Sequence, residues 1–237
     1  MKNHNHTLRH EFKYYINLKT YQILKQRISV VAKRDENTKR DEGYLISSLY
    51  FDDYQNSALK EKIDGDRFRK KFRVRVYEKE SGLIKLESKS KLDSWTAKES
   101  TRITYEEYQK ILEEDYEFLI QKDDLLCREL YSLIKTRLLK PKVIVEYERE
   151  AYVVDEGNVR LTFDKQLRSS INGLDIFDPN VVYSAALAEE IMVFEVKYDD
   201  FIPKHIRALI NEPSMQRYAV SKYVICKKRR ERVIQHD

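Results

Sequence analysis

Arg69, Lys71, Arg73 and Arg75 fall at every second position of the stretch from Arg69 to Tyr77, interleaved with Phe72, Val74 and Val76. Strand side chains point alternately to opposite faces, so this period predicts a β-strand with its cations gathered on one face. Same-face neighbours lie roughly 7 Å apart, so the charges repel unless an anion sits between them or water screens them. Guanidinium groups grip phosphate oxygens in pairs, which makes phosphate a fitting counter-charge.

The same design recurs along the chain. Thr7 to Tyr14 alternates Leu8, His10, Phe12 and Tyr14 against Arg9, Glu11 and Lys13. Across the Ser81-Gly82 turn, Ile84, Leu86 and Ser88 alternate against Lys85, Glu87, Lys89 and Lys91. Lys98 and Arg102 follow Trp95 in a further strand. Pro141 opens a long strand, 143–154, carrying Tyr147 and Arg149, and the 155–158 turn pairs it with 158–168, where Arg160, Thr162, Asp164 and Arg168 oppose Val159, Leu161, Phe163 and Leu167. In 191–199, Val193, Glu195, Lys197 and Asp199 oppose Met192, Phe194, Val196 and Tyr198. A further strand is expected over 43–51.

Helices must position these strands. Apolar spacing predicts one over 18–32 and a short one over 56–62; Thr104 to Glu107 has capping-box spacing, with helices over 104–113 and 123–138. Pro203 is expected at the first position of another. A basic helix follows Ser221-Lys222-Tyr223 and runs to Arg232, while 170–188 yields no clear element.

A water-facing sheet would carry hydroxyls and mixed-sign pairs, because like charges opposite one another destabilise it. Here Arg73 and Arg75 are followed by Lys89 and Lys91 one hairpin arm later. Closing the sheet puts the charged faces inside and turns the apolar faces out toward helices, giving a tunnel. A lumen with roughly ten cations demands a densely charged polyanion. Within it, Glu195 and Glu11 are candidate ligands for Mg²⁺ or Mn²⁺ bridging phosphate oxygens. A salt bridge to a neighbouring cation is the competing reading for each acid alone.

Composition narrows the classes. The chain has 237 residues, 36% charged and 41% hydrophobic, and a net charge of +5, so a strong positive field must come from local arrangement. With 5 Gly, 4 Pro and no linker, residues 1–237 read as one domain, with 1–6 as a tail in which His4 and His6 are a weak metal motif. Cys127 and Cys226 stand apart without metal-ligand spacing, which argues against structural zinc. Absence of a signal or membrane-length apolar run predicts a cytoplasmic protein. There is no Walker or Rossmann glycine loop, so a bound nucleotide would be held by its phosphates, as phosphoryl transfer permits.

Several ordered segments resemble the catalytic domain of the vacuolar transporter chaperone (VTC) polyphosphate polymerases, within the triphosphate tunnel metalloenzyme superfamily. They are Arg9-His10-Glu11-Phe12-Lys13-Tyr14, Leu49-Tyr50-Phe51-Asp52, Lys71 to Tyr77, Leu86 to Lys91, Glu146 to Tyr152, Val159 to Asp164, Phe194 to Tyr198 and Ser221-Lys222-Tyr223. The resemblance runs from Arg9 to about Arg230. It implies an α+β fold, an antiparallel β-barrel tunnel with flanking helices. It implies transfer of the γ-phosphate of ATP onto a growing polyphosphate chain with Mn²⁺ or Mg²⁺. Lys13, Arg73, Arg75, Lys89, Arg149, Arg160, Lys197 and Lys222 match the family's phosphate-binding positions, Tyr147 and Ser221 its hydrogen-bonding helpers, and Glu195 its metal-binding glutamate. Arg9, Lys91 and Lys98 join the substrate-binding set on the basic faces.

One departure is plain. The superfamily opens with Glu-x-Glu-x-Lys, and Arg9 occupies the first glutamate position. Losing that acid weakens metal binding and leaves the lumen more positive, which favours long phosphate chains. A triphosphate or polyphosphate hydrolase and a non-catalytic polyphosphate- or nucleic-acid-binding module using Lys227 to Arg230 are the alternatives; no nucleic-acid partner is expected. Family members work beside transmembrane subunits, so a membrane partner is compatible with this chain.

Overall fold

The computed structural model describes residues 9–38, 40–93 and 95–236. His4, His6, the expected tail and the start of the opening strand at Thr7 lie outside the described residues. In chain order the elements are β1 (His10–Asn17), α1 (Leu18–Val31), β2 (Lys33–Arg34), β3 (Tyr44–Asp52), α2 (Ser57–Asp64), β4 (Phe68–Tyr77), β5 (Ile84–Leu92) and β6 (Trp95–Ile103). Then come α3 (Tyr105–Leu112), α4 (Glu117–Gln121), α5 (Leu125–Arg137), β7 (Lys140–Val154), β8 (Val159–Ser170), β9 (Tyr183–Ala185), β10 (Ile191–Tyr198), α6 (Lys204–Ile210) and α7 (Lys222–His236). All ten strands form one antiparallel sheet in the order β1-β10-β8-β7-β3-β4-β5-β6, with β2 beside β7 and β9 beside β8. The fold is α+β, a curled antiparallel sheet with helices around it.

Local chemistry sets the helix starts. The Asn17 side chain accepts from Thr20 N at 2.9 Å, and Leu24 and Ile28, four residues apart on one face, bury against the sheet. Thr104 and Glu107 close the expected capping box at 3.1 and 2.8 Å. Asp52 accepts from the first amides of α2, Ala58 N at 2.9 Å and Leu59 N at 3.2 Å, and also from the Tyr223 hydroxyl, so one carboxylate joins α2 to α7. Gly43 has φ +114°, and a Cβ there would collide with the Arg149 carbonyl, so glycine lets β3 begin flush against β7.

The outward strand faces pack as expected. Phe72, Val74, Val76, Ile84 and Leu86 bury under α3, α4 and α5, and Leu161, Phe163, Phe194 and Val196 bury under α1 and α6. Among the described residues, no helix is long and apolar enough to cross a membrane. Cys127 and Cys226 are buried and free.

The structure departs from expectation in five places. The sheet does not close: among the described residues the one backbone bridge between the β1 and β6 edges is Arg9–Thr96, beside which the His10 and Trp95 rings lie 5.0 Å apart. From Lys13 onward the outer edge of β1 is taken by the segment before α7, with Tyr218 N donating to Lys13 O at 2.9 Å and Arg217 bridged to Tyr14, so that part of β1 offers β6 no edge. The lumen is not polar throughout, because Tyr223 and Cys226 of α7 pack inside the curl against Ile46, Tyr50, Val143, Val145 and Leu167. The alternation of β8 breaks at Gln166, whose φ of +51° and the register shift opposite Glu146/Glu148 turn Leu167 to the lumen face. Pro203 caps α6 rather than opening it, and α4 appears between the expected helices.

Candidate active site

Strand register brings the polar faces together. Arg73 pairs with Tyr50 and Arg75 with Ser48 on β3; Ser48 pairs in turn with Val145 and Tyr44 with Arg149 on β7. Arg149 pairs with Asp164, Glu195 with Thr162 and with Lys13, and Lys197 with Arg160 and with Glu11. These inward faces enclose a cavity of about 430 Å³.

Its wall contains Glu11, Lys13, Arg73, Arg75, Lys89, Lys91, Tyr147, Arg149, Glu195, Lys197, Ser221 and Lys222 from the sequence-based set. Three members of that set are engaged elsewhere. Arg9 pairs with Asp199 at 2.7 Å and donates to the Asn158 carbonyl. Arg160 lies on the lumen face beside Lys197 but is drawn to Asp35 at 2.9 Å and to the Tyr44 hydroxyl at 3.1 Å. Lys98 is held 2.5 Å from Glu87. Strand parity sets the face of a side chain, whereas a nearby carboxylate decides where its charged end settles.

The cavity also gathers residues outside that set: Tyr50, Lys62, Arg69, Lys71, Arg217 and Tyr218. Arg69 and Lys71 share the face of Arg73 and follow from its alternation. Lys62 arrives on α2, and Arg217 and Tyr218 on an irregular segment, where no period marks the inward residues.

Two electrostatic zones divide the wall. In the inner zone each cation has a carboxylate. Arg149 forks onto Asp164 at 2.6 and 2.7 Å, and Lys222 lies against the same Asp164 and 2.5 Å from Glu195. Lys197 is 2.9 Å from Glu195, and Lys89 is 2.9 Å from Glu11. Burial acts to raise the Glu11 and Glu195 pKa values, yet the ammonium groups around them outweigh it and hold both carboxyls well below their usual range. Lys222, by contrast, is pulled up against its burial by Asp164 and Glu195.

In the outer zone, Lys62, Arg69, Lys71, Lys91 and Arg217 have no carboxylate within ion-pair distance among the described residues. Burial, then Lys62, push the Lys71 pKa down to about 7, with Lys13 and Arg69 adding to it. Burial, then Arg69 and Lys91, bring Lys62 to about 8. Arg69 stands directly opposite Lys91, and Lys71 opposite Lys89. This is a strip of positive charge that the protein's own acids do not balance.

The carboxylates at the inner end bear on whether a divalent ion fits. Lys13 lies 3.3 Å from Glu11 and 3.6 Å from Glu195, and Lys197 lies 3.6 and 2.9 Å from the same two acids. Each ammonium thus spans two ionised carboxylates, so Glu11 and Glu195 are placed to share one cation. Among the described residues, no group of three or more His, Cys, Asp or Glu could hold a metal by itself. The pair fits a divalent ion only if substrate oxygens complete its shell.

A curled antiparallel sheet around a basic cavity, with carboxylates at its inner end, is the arrangement of the triphosphate tunnel fold. The sequence matches the VTC domain over residues 8–229, and the chain belongs to the VTC domain family. A comparison with curated proteins returns no match. Among solved structures, a candidate adenylyl cyclase from Hippeastrum, described as having a dominant triphosphatase activity, has a TM-score of 0.55 at 13% identity, covering 93% of this chain and 95% of that one. A candidate adenylate cyclase from Bacillus halodurans gives 0.49 at 15% identity, covering 85% of each chain. A Pyrococcus horikoshii protein gives 0.47 at 13% identity, covering 94% of this chain and 99% of that one. At such identity the Hippeastrum structure shows a shared fold alone.

Proposed function

We propose that this protein is a polyphosphate polymerase, transferring the γ-phosphate of ATP onto a growing polyphosphate chain within the basic cavity. The observation that carries this reading is the unmatched cation strip. The unmatched Arg69 and Lys71 continue the face of Arg73 and Arg75, which Glu87 balances, and the four together line the cavity over roughly 20 Å of strand, longer than a triphosphate. A site built for a triphosphate alone needs only the inner zone.

In this reading Lys13, Arg75, Arg149, Lys197 and Lys222 bind and orient the reacting phosphates, and Tyr147 and Ser221 donate hydrogen bonds. Lys89 and Lys91 continue the cation wall outward, and Arg69 and Lys71 receive the chain. Glu195 and Glu11 would hold Mn²⁺ or Mg²⁺ together with phosphate oxygens, and the ion would neutralise charge on the transferring group. Phosphoryl transfer of this kind depends on positioning and charge neutralisation, and no protein nucleophile is required.

Hydrolysis of triphosphate is the second reading, supported by the described activity of the Hippeastrum protein that shares the fold. Water would then replace phosphate as acceptor. ATP and Mn²⁺, with and without a short polyphosphate primer, should give a ladder of lengthening products that Arg75→Ala abolishes. Orthophosphate release with no ladder would establish the hydrolase instead.

A further inference from the structure

Glu87 stands out as a buried acid on an otherwise cationic strand face. It lies on β5 directly opposite Arg73, is 1% exposed, and does not line the cavity. Three cations converge on it. Arg73 donates to Glu87 Oε2 through Nε at 2.9 Å and Nη2 at 2.7 Å, Arg75 Nε lies 3.8 Å from the same oxygen, and Lys98 Nζ lies 2.5 Å from Oε1. Burial alone would raise the Glu87 pKa, but Arg73, Arg75 and Lys98 hold it far below the usual carboxylate range, so it is ionised throughout.

The rest of each guanidinium is also fixed. Arg73 Nη1 donates to the Tyr50 hydroxyl at 2.8 Å; Arg75 donates to Ser48 Oγ at 3.1 Å and to the Tyr147 hydroxyl at 3.2 Å. Glu87 grips the Nε edge of Arg73, a residue that itself lines the cavity while Glu87 does not. Without the carboxylate, Arg73, Arg75 and Lys98 would repel one another and swing apart.

We propose that Glu87 is a positioning residue: it touches no substrate, but its charge clamps Arg73 and Arg75 into the one orientation that receives the transferring phosphate. This rests on the phosphoryl-transfer reading of the cavity. A merely structural acid and a positioning acid respond differently to Glu87→Gln, which keeps the shape and removes the charge. The lumen becomes more positive while the forks lose alignment. Tripolyphosphate, measured by calorimetry, should bind as tightly as to the native protein or several-fold tighter, while turnover of ATP falls at least tenfold and the melting temperature stays close to native. Glu87→Asp, which restores the charge, should recover part of the turnover.

A second readout is independent of activity. In NMR spectra of the uniformly labelled full chain, the Nε–H signal of Arg73, assigned by its loss in Arg73→Lys, should be protected from solvent exchange in the native protein and exchange-broadened in Glu87→Gln. Unchanged turnover in Glu87→Gln, loss of binding and turnover together with a lower melting temperature, or an unaltered Arg73 signal would each overturn the proposal. If the native protein turns over no phosphate compound, the proposed function falls, and the Arg73 signal still decides whether Glu87 holds the fork.

Discussion

Lys71 stands directly across from Lys89 in the β4–β5 pairing, yet the two ammonium groups meet different partners. Lys89 rests on the carboxylate of Glu11 at 2.9 Å, whereas Lys71 has no ion pair among the described residues and lies 3.4 Å from the Ser221 hydroxyl and 4.8 Å from the centre of the Tyr223 ring. The boundary between a compensated inner zone and an uncompensated outer zone runs between these two residues. A polyanion that enters must supply the charge that Lys71 lacks.

Ligand binding should take up protons. With Lys71 near 7 and both Lys62 and Lys89 near 8 in the free protein, these groups are partly neutral at mildly alkaline pH, and phosphate oxygens beside them favour the charged forms. Affinity for tripolyphosphate or longer chains should therefore rise as pH falls from 9 to 7, by up to about tenfold per unit for each proton taken up. Calorimetry in buffers of different ionisation enthalpy should register the uptake, and Lys71→Met should reduce it. For stability of the free protein the sign is opposite to that of a favourable ion pair. Between about 7 and 10.5 the unfolded chain holds a proton that folded Lys71 does not, so this group makes the fold more stable as pH rises through that window.

Chain length should separate the two zones. Arg69→Ala combined with Lys91→Ala removes a facing pair from the outer zone and leaves the inner ion pairs intact. Binding of a long polyphosphate should weaken about ten- to a hundredfold, with a shallower salt dependence, while tripolyphosphate affinity changes little. Equal losses for both ligands, measured by competition against a fluorescent polyphosphate, would show that the outer strip is not an extension of the site.

Glu195→Gln should separate binding from chemistry. Four cations, Lys197, Lys222, Lys13 and Arg149, lie around this carboxylate, at 2.9, 2.5, 3.6 and 3.6 Å. Neutralising it leaves them free for phosphate, so tripolyphosphate should bind at least as well without added metal. Turnover should fall by roughly a hundredfold or more, and added Mn²⁺ should no longer tighten binding. A purely binding module would show no turnover to lose and no metal dependence in either form.

The fold should depend on the outward core far more than on the cavity wall. Phe163 is fully buried, its ring centre 4.9 Å from those of both Phe194 and Tyr21. Phe163→Ala should cost about 3–5 kcal/mol in denaturant unfolding, through lost transfer energy and the cavity left behind. Truncating Lys91, half-exposed at the cavity rim, should cost under about 0.5 kcal/mol.

Much of this arrangement was legible in the sequence because strand parity is rigid. The alternation of Phe72, Val74 and Val76 with Arg69, Lys71, Arg73 and Arg75 placed one set in the core and the other in the cavity, as observed. Glu195 and Lys197 followed the same rule. Parity has no information about depth along a strand or about partners arriving from elsewhere, which is why Arg160 ends on Asp35, Lys98 on Glu87 and Arg9 on Asp199. Nor does it extend to Lys62 on a helix or Arg217 on an irregular segment. The entry of α7 into the curl was hidden for a related reason. Its apolar and charged residues are poorly segregated by face, with Tyr223 and Cys226 toward the lumen while Arg230 reaches out to the Ser170 carbonyl.

The most direct measurement is a structure of the protein with a long polyphosphate chain and Mn²⁺. Phosphates should lie between Arg69 and Lys91 at the outer end and continue to Arg75, Arg149 and Lys222 at the inner end, with Lys71 against a phosphate oxygen. A chain bound only on the outer surface, or phosphate confined to the inner zone with Arg69, Lys71 and Lys91 turned to solvent, would contradict it.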